Sequence, residues 1–83
     1  KVKNPVLEIR ENLDMNREDL SQLANLSYSA VYNIERGNAK TISEKLLQAL
    51  EDLGYDSEKI AKDYAVYKKK LSQQLKNKYA QAK

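Results

Sequence analysis

The sequence predicts an all-α domain of five helices, and three observations carry that reading. No run alternates apolar and polar residues with β-branched side chains, so strand signals are missing. Apolar residues recur instead at helical spacing. The Asn, Ser, Asp and Gly residues between those stretches are the chemistry of helix ends rather than of hairpins.

Each element has its own justification. Asn4 is an N-cap for a helix over about residues 5–13, Pro5 suits its first turn, and Val6, Ile9, Arg10 and Leu13 share one side. Asn16 precedes Arg17-Glu18-Asp19, an N-cap with acids where the helix dipole favours them. Leu20, Leu23 and Ala24 form the apolar side of this second helix, which ends near Asn25. Ser27 caps a short third helix over about 28–36. Its buried pair is Val31 and Ile34, and Gly37 stands where a left-handed residue would stop it. Thr41-Ile42-Ser43-Glu44 fits a capping box for helix four, with Ile42, Leu46, Ala49, Leu50 and Leu53 as its face and Gly54 as terminator. Asp56 and Ser57 cap the last helix, and nothing breaks it before Lys83.

Composition narrows the function. The chain has 83 residues, one small domain with little material for a deep cleft. It has no Cys and no His, which closes disulfides, thiolate or imidazole zinc sites, Cys nucleophiles and the commonest general base. With 2 Gly, neither a dinucleotide fingerprint nor a phosphate loop can be written. An enzyme is not expected, and no cofactor or metal. Asp14 to Asn25 begins like a calcium loop but has Asp19 where Gly is needed and Asn25 where a bidentate Glu belongs. No apolar run approaches the roughly 20 residues of a membrane span, and no apolar signal segment follows Lys1, so the expectation is a cytoplasmic protein with no membrane span.

The formal net charge of +3 is unevenly placed. Residues 1–55 carry seven basic and nine acidic residues, whereas residues 56–83 carry eight Lys and three acids. Leu, Ile, Val and Met run the other way, sixteen in the first part and four in the second. The reading divides the chain accordingly, into a core-forming domain over 1–55 and a long basic amphipathic helix over 56–83.

Helices two and three are joined by only Asn25-Leu26-Ser27, which is helix-turn-helix spacing. Here the chain resembles the Cro and phage-repressor family of DNA-binding domains. The resemblance rests on Leu20, Ala24, Leu26, Ser27 and Val31, then Ile34-Glu35-Arg36-Gly37, then Leu46, Leu50, Leu53 and Gly54, and it covers about residues 5–55. It implies a five-helix repressor-type domain. Arg17 stands where that family usually has a Gln that contacts phosphate. Asn25 stands where it often has Gly, and Asn tolerates the left-handed turn. The resemblance also implies that Arg10 pairs with Glu35, a structural ion pair, and that the run from Gly37 to Lys40 crosses the phosphate backbone.

The residues themselves agree. If Val31 and Ile34 face the core, then Tyr28, Ser29, Tyr32, Asn33 and Arg36 face outward, as base-reading positions of a helix in the major groove of double-stranded DNA do. Asn33 suits adenine, since its amide donates and accepts together. Arg17, Ser27, Tyr28 and Tyr32 suit phosphates or thymine methyls, with Asn38 and Lys40 as flanking contacts. Bidentate guanine reading at mid-helix is closed, because helix three has no Arg or Lys before Arg36.

In the last helix Ile60, Tyr64, Tyr67 and Leu71 form a stripe that Leu75 extends, while Lys62, Lys69 and Lys76 line the opposite side. The opposite side reads first as a solvated basic face, with phosphate contact, an acidic partner or a membrane surface as its other uses. The distal stripe, Tyr67, Leu71 and Leu75, is the expected homodimer contact; the competing account is a tail that folds back on helices one and four or frays after Leu71. The function expected is a sequence-specific transcriptional regulator, of phage or mobile-element repressor type. The alternative is an antitoxin or inhibitor that holds a protein partner through the last helix.

Overall fold

The computed structural model describes residues 3–80, which form α1 (Pro5–Asn12), α2 (Arg17–Ala24), α3 (Tyr28–Glu35), α4 (Glu44–Asp52) and α5 (Ser57–Ala80). The expected continuation of the last helix to Lys83 lies outside the described residues. Helix and turn account for all of the regular structure among them.

The helix starts are built by side chains that accept otherwise orphaned backbone N–H groups. Asn4 Oδ1 accepts from the amides of Val6 and Leu7, Asn16 Oδ1 from Asp19, Ser27 Oγ from Ala30, and Asp56 Oδ1 from Glu58 and Lys59. Helix α4 departs from expectation. Its N-cap is Ser43, whose hydroxyl accepts from Lys45 N at 3.2 Å, and the capping box expected from Thr41 does not form. Ile42 explains the shift, because it is buried in the core ahead of the helix while Thr41 stays exposed. Asn25, at φ 55°, takes the left-handed conformation that ends α2.

Val6, Leu20, Val31, Leu46, Leu50 and Tyr64 are almost wholly inaccessible and come from all five helices. Three leucines expected on inward sides are instead exposed, Leu13 at 40%, just past the end of α1, Leu23 at 54% and Leu53 at 42%. In α2 the inward arc is Leu20, Ala24 and Ser21, with the Ser21 hydroxyl donating back to Glu18 O at 2.8 Å. Leu53 lies past the last turn of α4 as its C-cap.

The core does not stop at residue 55. Ile60, Tyr64 and Tyr67 of α5 belong to the same buried cluster as Val6 and Leu50, with Leu71 packed against it. Tyr67 is therefore corrected from a dimer contact to a core residue, and Leu71 is half-buried within its own protomer. The reason is Gly37. A Cβ there would stand 2.9 Å from Leu71 Cδ1 and 3.0 Å from Tyr67 Cε2, so only a bare Cα lets α5 lie against the end of α3. The same glycine has φ 79°, the left-handed region that favours Gly. Beyond Leu71 every residue of α5 up to Ala80 is exposed, and the molecule is 47 Å along its longest axis.

Candidate nucleic-acid interface

The turn between α2 and α3 is closed by backbone bonds, Asn25 N to Gln22 O at 3.2 Å and Leu26 N to Ser21 O at 2.9 Å. Leu26 packs against the core and Ser27 caps the next helix. This fixes α3 with Val31, Ile34 and Glu35 turned inward and Tyr28, Ser29, Tyr32 and Asn33 exposed. Arg36, its C-cap, is exposed as well. The outward set is the one helical geometry predicts.

Under that face lies a charged joint. The Glu35 side chain is only 2% exposed, and its carboxylate accepts from two arginines. Arg10 donates through Nε to Oε2 at 2.6 Å and through Nη2 to Oε1 at 3.1 Å, while its Nη1 reaches Met15 O at 2.8 Å. Arg17 donates through Nε to Oε1 at 2.8 Å. Helices α1, α2 and α3 are thus tied at one carboxylate. The Arg10–Glu35 pair is where the resemblance implies it; the third member was not legible from spacing. The hydrogen bond to Glu35 raises the Arg17 pKa above its ordinary value, so its charge is fixed.

Arg17 also organises the outward face of α3. Its Nη1 donates to the Tyr28 hydroxyl at 2.8 Å, and its guanidinium lies 5.5 Å from the Tyr28 ring centre and 5.2 Å from that of Tyr32. Arg36 repeats the arrangement, with Nη1 donating to the Tyr32 hydroxyl at 2.8 Å and the guanidinium 5.5 Å from its ring. Tyr28, Arg17, Tyr32 and Arg36 form a ladder of alternating rings and guanidiniums held by cation–π attraction. Both tyrosine oxygens already accept, so each phenol keeps its O–H hydrogen for an outside acceptor. Arg17 is not the freely extended residue that a phosphate contact alone would suggest.

The far end of α3 is held from two sides. Asn4 Nδ2 donates to Ile34 O at 2.8 Å. From α5, Tyr64 Oη donates to Ala39 O at 2.6 Å and Lys68 Nζ to Gly37 O at 2.5 Å. These contacts set the path of the loop carrying Asn38 and Lys40, both exposed. Asn33 and Asn38 line a shallow groove of about 430 Å3 with Thr41 and Ser43, two polar residues that the sequence suggested only for a helix cap. Arg36 and Asn38 line a second groove, on the side of α5. Ser27, Ser29 and Lys40 are exposed; the Ser27 hydroxyl serves the cap. Of the expected dimer residues only Leu75 is exposed.

Among the described residues no helix is long and apolar enough to cross a membrane, and no group of three or more acidic side chains could hold a metal ion. No curated protein and no solved structure matches the chain. A family model described as helix-turn-helix matches residues 6–53, from α1 through α4 and more than half of the sequence. That span contains the Arg10–Glu35–Arg17 joint, the tight turn and the outward face of α3, and the chain belongs to the helix-turn-helix family of Cro and phage-repressor type.

Proposed function

We propose that this chain is a sequence-specific DNA-binding transcriptional regulator that acts as a repressor by occupying an operator. The observation that carries the reading is the outward face of α3, where Tyr28, Ser29, Tyr32 and Asn33 are exposed together and two arginines are stacked on the tyrosines. Inserted in the major groove, that face presents one amide and two donors. Asn33 takes an adenine edge through paired donation and acceptance. The Tyr28 and Tyr32 hydroxyls, already accepting from Arg17 and Arg36, donate to phosphate oxygens or to base acceptors, and not to base amino groups. Asn38 and Lys40 flank the helix on the backbone. Two copies on half-sites about 10 to 10.5 base pairs apart would supply the site length a single module lacks. A phage or mobile-element setting is the biological context that the family resemblance suggests.

Selection of bound sequences from random duplex DNA tests this directly. The expected outcome is a pseudo-palindromic site with one adenine per half-site, and Asn33→Ala costing about 1 to 3 kcal/mol there while relaxing the preference at that base pair. Equal loss on selected and random duplexes would remove Asn33 from the readout. Absence of any DNA binding would favour a protein-binding module on the same fold.

A further inference from the structure

The side of α5 that faces the domain does not end where the domain does. At 100° per residue Leu71, Gln74, Leu75 and Lys78 continue the side occupied by Ile60, Tyr64 and Tyr67. Beyond Gly37 this side overhangs an open groove of about 440 Å3. One wall is the end of the recognition helix, Arg36 with Asn38; the other is distal α5, with Lys68, Leu75 and Lys78. Arg36 also stacks on Tyr32, so the groove is continuous with the face proposed to read DNA.

We propose that this groove seats the phosphate backbone of the same duplex that α3 reads, extending the footprint beyond the helix-turn-helix. The inference rests on the DNA-binding reading above and adds a second surface to it. Charge selects the occupant. From Tyr64 to Ala80 the helix carries Lys68, Lys69, Lys70, Lys76 and Lys78 and no acidic residue. A second copy laid along it in symmetry would set lysine against lysine, whereas a polyanion meets Arg36, Lys68 and Lys78 together. Lys68 is also placed by its bond to Gly37 O, which holds its ammonium at the groove wall. The lysines that matter are thus those of the overhanging side, and not Lys69 and Lys76, which point about half a turn away.

The test compares charge reversals of equal size on the two sides of α5 in the full chain. Binding to a labelled 30-base-pair duplex of mixed sequence is titrated over a series of salt concentrations. Lys78→Glu should weaken binding several-fold at low salt and reduce the slope of log K against log salt by about one, the loss of one phosphate contact. Lys69→Glu should leave the slope within error of the unaltered protein. Lys78 is exposed, and equal thermal melting of both variants excludes a folding effect. Equal slopes for the two variants, or an unchanged slope for Lys78→Glu, would overturn the proposal. So would a stable dimer without DNA that Leu75→Glu dissociates, because the groove side would then belong to a second copy. If the unaltered chain fails to bind any duplex, the DNA reading itself falls, which is a separate result.

Discussion

The two halves of α5 share one helix and one facing side, yet they live in different environments. From Ser57 to Leu71 the helix is a wall of the core, with Ile60, Tyr64 and Tyr67 buried and the Tyr64 and Tyr67 rings 5.9 Å apart. From Ser72 to Ala80 every residue is exposed. The difference comes from what stands opposite. The proximal half meets α1, α4 and the bare Cα of Gly37; the distal half meets the open groove beside Arg36. An apolar stripe read along a sequence reports which side of a helix turns inward, but not how far its neighbours extend. The proximal half also has a functional consequence. By bonding to Gly37 O and Ala39 O, it sets the loop that leaves α3, the helix proposed to read DNA.

The largest expected effect follows from the proximal half. Tyr64 is 2% exposed and its hydroxyl donates to Ala39 O, so Tyr64→Ala removes a filled core position and a loop anchor together. A loss of about 3 to 5 kcal/mol in urea denaturation is expected, as for other large buried aromatics. A loss below about 1 kcal/mol would show that α5 is an appendage and not part of the core.

Gly37→Ala comes next. The positive φ costs about 1 to 2 kcal/mol for a residue with a side chain, and the contact with Leu71 and Tyr67 adds an overpacking cost of about 1 to 3 kcal/mol. The two parts separate in a double-mutant cycle. Leu71→Ala takes away the atom nearest the added methyl, so the combined loss should fall short of the sum of the single losses by at least about 0.5 kcal/mol. Strict additivity would mean that the glycine is needed for its backbone angle alone.

The Tyr64 hydroxyl gives a smaller, pH-dependent handle. Burial raises its pKa above the ordinary tyrosine value, so above about pH 10 the unfolded chain releases this proton before the folded one does. Its contribution is fully present below about pH 10 and is lost as the pH rises from there, since the folded state binds more protons. Stability measured from pH 9 upward should fall more steeply in the unaltered protein than in Tyr64→Phe, which lacks the proton. Parallel curves would show that the hydroxyl is not desolvated.

Much of this arrangement was legible in the sequence, for reasons that also explain what was not. Helix caps are local, so Asn4, Asn16, Ser27 and Asp56 could be placed from side-chain chemistry alone. The outward set on α3 followed from Val31 and Ile34 by angle. Thr41 failed as a cap because burial of Ile42, a tertiary demand, moved the start of α4 to Ser43. Leu23 failed for a similar reason, Ser21 being turned inward in its place. The role of Arg17 was hidden because its partners, Tyr28 and Glu35, lie 11 and 18 residues away and converge only after three helices have packed. Tyr67 was misassigned because nothing local says that Gly37 would bring α5 against α3.

The smallest expected effect belongs to the distal half, and it sharpens the comparison most. Among the described residues, ending the chain after Ser72 removes no buried side chain and none of the bonds to Gly37 O or Ala39 O. The described part that it removes, up to Ala80, is exposed helix, and surface changes away from special features move stability by about 0.5 kcal/mol or less. Ending it after Asp63 instead removes Tyr64 and Tyr67 and with them one wall of the core, so that shorter chain should not hold a cooperative fold. Circular dichroism melting of the two truncations decides the matter. If both melt like the full chain, the core closes without α5 and the aromatic pair is superficial. If both unfold, the exposed half contributes stability that its surroundings do not explain. The expected contrast, one truncation silent and the other disruptive, would place the end of the structural unit at Leu71. It would leave the overhanging turns free to serve binding.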